Sequence, residues 1–203
     1  MVDRLRQEYG SRVEIAWKAF ELRPDPVPLP PPDDPARRRR WQASVLPMAE
    51  ERGLVMTVPP VAPRTRLTFQ AVELARDHDA FDAMHLAIFE AFFRDGRDIG
   101  DAEVLAGIGA SVGLSPSLVT RALGEGTYLN RVLAQEQLAR RIGVTGVPAI
   151  FVGDVLETAE PVVGAVPYDW LKATVERALA GESLDWRRRA LRSAIPLKDD
   201  SEL

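Results

Sequence analysis

Cysteine is absent from the sequence. Without it there is no disulfide scaffold, no thiolate zinc site and no cysteine nucleophile. Histidine is scarce: His78 and His85 are the only two imidazoles. Histidine metal clusters and a Ser-His-Asp triad are therefore poorly supplied, and no metal site or catalytic side chain is expected. Basic charge is not in excess, with 26 Lys and Arg against 30 Asp and Glu and a net charge of −4. No positive field is available to attract nucleic acid or an anionic lipid surface. No apolar run approaches the roughly 18 residues of a membrane helix. The opening residues, Met1-Val2-Asp3-Arg4-Leu5-Arg6-Gln7-Glu8, are charged and amphipathic rather than apolar like a signal peptide. A cytoplasmic protein is expected, with neither nucleic acid nor membrane among its partners.

What remains is ample for a fold. The 203 residues are 46% hydrophobic and 28% charged, the profile of a soluble globular chain with one core, or one core carrying an inserted subdomain. Val2, Leu5 and Tyr9 lie near helical spacing, and Gly10 is placed to end that helix. Val13, Ile15 and Trp17 alternate with Glu14, Ala16 and Lys18, which predicts a strand over Val13 to Phe20. Seven prolines in the twelve residues from Pro24 to Pro35 predict an extended connector, with a polyproline ligand for an SH3-like partner as the alternative. The run Arg37 to Arg40 reads as a solvated helix face in an acidic chain. A helix is expected over Ala36 to Arg52, broken or kinked at Pro47.

From Leu67 to Gly143 the pattern is helical almost throughout. Phe81, Met84, His85, Ile88, Phe89 and Phe92 mark one buried stripe. His85 on that stripe reads as a core histidine rather than a base. Asp101 is placed as an N-cap, and Ser115-Pro116 as a cap followed by proline in the first turn. At Gly143 the period changes: Val147 to Asp154 reads as a short strand ending in a turn, and Val155–Thr158 or Pro161–Val163 as its partner. An amphipathic helix over Val166 to Leu179 follows, apolar at Trp170, Leu171, Val175 and Leu179. The charged tail to Leu203 has Trp186 as its one large anchor and is expected to be a short docked helix or frayed.

The segment Gly143-Val144-Thr145-Gly146-Val147-Pro148-Ala149-Ile150-Phe151-Val152 resembles the cis-proline loop of the DsbA family. Proline holds a cis bond at a cost of only about 0.5–1 kcal/mol, and flanking glycines give the chain freedom to turn. Trp17-Lys18-Ala19-Phe20-Glu21-Leu22-Arg23-Pro24-Asp25 resembles the second core strand and exit of the family's FrnE-like branch. Phe92-Phe93-Arg94-Asp95-Gly96-Arg97-Asp98-Ile99 with Glu103-Val104-Leu105 resembles that branch's helical insertion, and Val163-Gly164-Ala165 the approach to its last helix. The resemblance covers about Met1 to Leu179. It implies an α/β fold: a thioredoxin-like core with an inserted all-helical subdomain, the first core strand missing. Residues 1–35 and 143–181 would form the partial core, 36–142 a connector plus insertion, and 182–203 a tail.

The resemblance implies a thiol-disulfide oxidoreductase family, acting on protein or peptide thiol and disulfide substrates and admitting a homodimer. In that family a Cys-x-x-Cys motif sits at the first helix, where the helix dipole favours the thiolate. That motif is not here, so the chain is expected to be redox-inactive by itself, and a start placed 15–25 residues too late is the expected reason. Only Thr145, Gly146, Val147 and Pro148 carry over, as substrate-binding residues, with the Val147–Pro148 bond expected cis. No cofactor is implied on this reading. The alternatives are a glutathione-dependent relative of the 2-hydroxychromene-2-carboxylate isomerases or kappa-class transferases, with serine in the missing segment and glutathione as cofactor, and a non-catalytic peptide-binding module.

Overall fold

A computed structural model describes residues 1–32, 34–156 and 158–182; Trp186 and the rest of the tail lie outside the described residues. The chain divides into two compact units. One joins Met1–Trp17 to the chain from Ala139 onward, and the other is Lys18–Leu138. Among the described residues no helix is long and apolar enough to cross a membrane.

The first unit begins with α1 (Val2–Tyr9), which buries Leu5 and Tyr9 one turn apart and closes at Gly10, whose φ is +54°. After a 3-10 turn at Gly10–Arg12 come β1 (Ala149–Val152), β2 (Glu160–Val163) and α9 (Tyr168–Leu179). The strands pair antiparallel, Ala149 opposite Val163 and Ile150 opposite Val162. Ile150, Val152 and Val162 share the inner face and pack with Leu5, Tyr9, Leu171 and Val175. Period-two alternation puts β1's apolar residues there, and one stripe of α9 covers them. Trp170 and Leu179 were expected on that stripe, but Trp170 is 65% exposed and Leu179 lies outside as well. One residue is 100° of helix, which is enough to turn Trp170 out when Leu171 points in.

Charge ties α1 to α9. Lys172 Nζ donates to Glu8 at 2.8 Å and Arg4 Nε donates to the same carboxylate at 2.8 Å. Tyr9 OH donates to Glu176 at 3.1 Å, and the Arg4 guanidinium lies 3.9 Å above the Tyr168 ring. The bond from Lys172, helped by Arg4, pulls the Glu8 carboxyl from its ordinary 4.5 down to about 2. A depressed carboxyl pKa stabilises the fold above the unfolded value and ceases to do so as pH falls through the folded one. The melting temperature should therefore drop between pH 4.5 and about 2, and Glu8→Gln should flatten that drop. Identical acid profiles for wild type and variant in pH-resolved melts would refute this assignment.

The strand expected over Val13–Phe20 does not form a ladder. Its alternation is real: Val13, Ile15 and Trp17 are half-buried while Glu14, Ala16 and Lys18 are exposed. Yet the only sheet among the described residues is β1–β2. Within the segment, Val13 N–H bonds Gly10 O and Ala19 N–H bonds Gln135 Oε1 at 2.7 Å. Period two specifies an extended chain with an inner and an outer face; a ladder needs a neighbouring strand as well.

The second unit holds α2 (Pro35–Arg40), a π-helical turn at Trp41–Val45, α3 (Leu46–Glu50), α4 (Arg66–Asp77) and α5 (Phe81–Phe89). A second π turn, Glu90–Arg94, leads to α6 (Ala102–Ser111) and α7 (Pro116–Gly124); α8 (Leu129–Arg141) follows, and the division between units falls within it. Pro47 does not break the expected helix. The preceding turn widens so that Leu46 N–H reaches back to Trp41 O, and the helix resumes with Pro47 in its first turn. Asp101 caps α6 through bonds from the amides of Glu103 and Val104. Ser115 precedes α7 as expected but makes no cap bond; its hydroxyl meets that of Ser117. The core gathers Leu74, Met84, Ile88, Leu105, Val119 and Leu123. Met84 and Ile88 form the buried part of the aromatic stripe, whereas Phe89 lies at its exposed margin. Polar groups are buried here too. Glu73, 3% exposed, accepts from Arg76, Arg131 and Gln135, and Arg131 reaches on to Asp77 in a two-pronged pair at 2.7 and 3.1 Å.

Candidate functional site, the loop before the first strand

The expected site residues, Thr145 to Pro148, lie together between α8 and β1. The helix before them ends in a Schellman motif: Gly143 N–H bonds Arg140 O, Val144 N–H bonds Ala139 O, and Gly143 takes the left-handed φ of +84°. That fixes where the loop starts. At its far end Pro148 O accepts from Gly164 N–H at 2.9 Å, which stitches the loop to the residue following β2. Between these two anchors the Val147–Pro148 peptide bond is cis.

Thr145, Val147 and Pro148 are exposed, Val147 to 53%, and Gly146 is half-buried. Among the described residues no hydrogen bond involves the amide or carbonyl of Thr145, Gly146 or Val147. The pairing of Pro148 with Gly164 also sets the phase of the ladder. Ile150 and Val152 turn their backbone groups toward β2, and Ala149 and Phe151 turn theirs to the opposite edge. The loop thus offers an accessible main-chain donor and acceptor at Val147, flanked by apolar surface. It contains no ionisable side chain, the Thr145 hydroxyl being its one polar side-chain group. Gly164 was legible only as part of the approach to the last helix; its bond to Pro148 depends on strand register, which no local motif displays.

His85 sits between the Phe81 ring, at 5.4 Å, and the Phe89 ring, at 4.7 Å. That is a packing position on the aromatic stripe. Among the described residues no group of three or more His, Asp or Glu side chains is arranged to hold a metal ion.

Comparison with known proteins bears on the whole chain. The family model of the DSBA-like thioredoxin domain matches residues 1–176. Uncharacterized protein YwbO of Bacillus subtilis (strain 168) is 34% identical over 149 residues, 71% of this chain and 74% of that protein. The crystal structure of the probable DsbA oxidoreductase SCO1869 from Streptomyces coelicolor superposes with a TM-score of 0.68 at 25% identity, covering 99% of this chain and 86% of that one.

Proposed function

The chain belongs to the DSBA-like thioredoxin-domain family, and from that premise we propose that its loop Thr145–Pro148 holds the extended backbone of a protein or peptide thiol or disulfide substrate. The observation that carries this reading is the accessible, unbonded backbone of Val147 beside a cis proline, at the end of a strand with an open edge. An extended peptide laid there gains main-chain hydrogen bonds in the manner of an added strand. In this reading the 203 residues bind substrate without performing thiol-disulfide exchange, because they supply no thiol. Residues 1–35 and 143–181 act as the two parts of the binding core, with the helical stretch 36–142 inserted between them. The matches at Trp17–Asp25 and Phe92–Ile99 support the FrnE-like branch.

Titration of the labelled protein with an unfolded, S-alkylated peptide should move the amide resonances of Val147 and Ala149 first. Val147→Pro removes the amide donor and should weaken binding about three- to tenfold, the worth of one net hydrogen bond; Val147→Thr keeps the donor and should bind as wild type. Shifts confined to residues away from the loop, or equal affinity of the proline and threonine variants, would sink the reading. Saturable binding of glutathione at the loop without peptide binding would favour the isomerase-like alternative.

A further inference from the structure

The proline-rich connector is held at both ends and bare in the middle. On entry, Arg64 donates to the Arg23 carbonyl and pairs with Asp25 at 3.0 Å, and Val27 N–H closes a turn onto Pro24 O at 2.8 Å. On exit, Asp34 N–H bonds Pro31 O, and Arg37 donates to Pro32 O at 3.3 Å. Between these anchors no described residue hydrogen-bonds the carbonyl of Val27, Pro28, Leu29 or Pro30, or the Leu29 amide. Sterics fix the conformation there. Pro28, Pro30, Pro31 and Pro32 hold φ at about −65°, and Val27, Leu29, Pro30 and Pro31 each precede a proline, which disfavours the helical region. The cis bonds of the described residues are at Pro26 and Pro148, so those onto Pro28, Pro30, Pro31 and Pro32 are trans. The segment is therefore a polyproline II helix, which repeats every three residues and leaves its backbone to solvent.

Three edges run along such a helix. Pro28 with Pro31 forms one, Leu29 with Pro32 a second, and Val27 with Pro30 the third. Both members of the first two are exposed, while Pro30 is half-buried, so the third edge is the one partly covered. The charge around the segment has one sign: residues 24–36 include Asp25, Asp33 and Asp34 and no Lys or Arg. We propose that Val27–Pro32 is a docking segment for a partner domain carrying an aromatic-lined groove with a basic rim. Such grooves take polyproline II ligands because the helix is already formed and little conformational entropy is lost on binding. Rings in the groove pack on Pro28 with Pro31 and on Leu29 with Pro32, and donors among them reach the unbonded carbonyls. The rim faces the flanking aspartates. Rim charge governs the choice of partner, so an acidic-rimmed groove of the same shape is rejected. This segment and the loop Thr145–Pro148 belong to different compact units, so the two bind independently.

The test titrates the isotope-labelled full chain with an EVH1 domain, an aromatic-grooved probe, in two engineered forms bearing lysines or glutamates around the groove. The lysine form should bind with a dissociation constant of about 100 µM or tighter, moving the Leu29 and Asp34 amide resonances first. The glutamate form should bind at least about tenfold more weakly. Pro28→Ala/Pro31→Ala should weaken binding of the lysine form about tenfold and leave the melting temperature unchanged, since both side chains are exposed. Val27→Ala, on the third edge, and Val147→Pro, in the other unit, should bind it as wild type does. Absence of binding at about 1 mM of the lysine form, a range far weaker than the affinity expected, overturns the inference. So do shifts confined to residues outside Val27–Asp34, an unaffected Pro28→Ala/Pro31→Ala variant, or equal affinity for the two forms.

Discussion

In an insulin-reduction assay the 203-residue chain is expected to add nothing to the rate of the chemical reductant alone. Exchange begins when a thiolate attacks a disulfide sulfur and a mixed disulfide forms. The four methionines are the only sulfur-bearing residues in the sequence, and a thioether has no proton to lose. The loop side chains offer one threonine hydroxyl, a far poorer nucleophile at neutral pH than a thiolate. The effect is all or nothing: a chain lacking the attacking atom is not slowed but silent. Precipitation of the insulin chains should be delayed if anything, because the loop would hold extended peptide, and Val147→Pro should remove that delay. Dithiol-dependent turnover above background, proportional to the amount of chain added, would overturn this account of the sequence.

A large loss of stability is expected from removing the Glu73 side chain. Its carboxylate is buried in α4 and accepts from Arg76 on the same helix, and from Arg131 and Gln135 on α8. Gln135 in turn accepts the Ala19 amide, so one carboxylate organises a network running from the extended segment through two helices. Removing one partner of a buried pair typically costs about 3–5 kcal/mol. Here the arginine side chains are 36% and 42% exposed and recover water when the carboxylate leaves. Glu73→Ala should therefore cost about 2–3 kcal/mol in urea unfolding, while Glu73→Gln, which keeps an acceptor of the same shape, should lose less. An alanine variant within about 0.5 kcal/mol of wild type, the range of an ordinary surface substitution, would show that the network contributes little.

The sequence displayed the helical portion well because its signals are local. Asp101 shows its capping role in the residue itself, Gly143 its turn, and Met84 with Ile88 the buried side of a helix through their spacing. The strand at Val13–Phe20 was half legible: alternation specified which side chains turn inward, and the burial follows it, but pairing is a property of two segments. Trp170 was misplaced because hydrophobicity names a residue without naming its helical angle relative to Leu171. Pro47 was expected to break or kink its helix; the chemistry of proline is local and does not display how the chain accommodates it, here by the widened turn at Trp41–Val45 just before it. The loop Thr145–Pro148 was found from a motif, whereas the bond from Gly164 and the open edge of β1 required the register of a hairpin. The carboxylate network around Glu73 joins residues 19, 73, 131 and 135, and no periodicity connects them.

The two units differ in how they are cut from the chain, and that has a consequence for the order in which a ribosome can complete them. The Lys18–Leu138 unit is one uninterrupted stretch, so all its partners have been made once residue 138 has emerged. The other is split. Leu5 and Tyr9 are made well before Val162, Leu171 and Val175, against which they pack. The bond from Tyr9 to Glu176 spans 167 positions, about ten to thirty seconds of elongation. For that interval α1 is a short amphipathic segment with its apolar stripe uncovered. Its charged residues, Asp3, Arg4, Arg6 and Glu8, then keep it in solution before two of them, Arg4 and Glu8, take up their places beside α9.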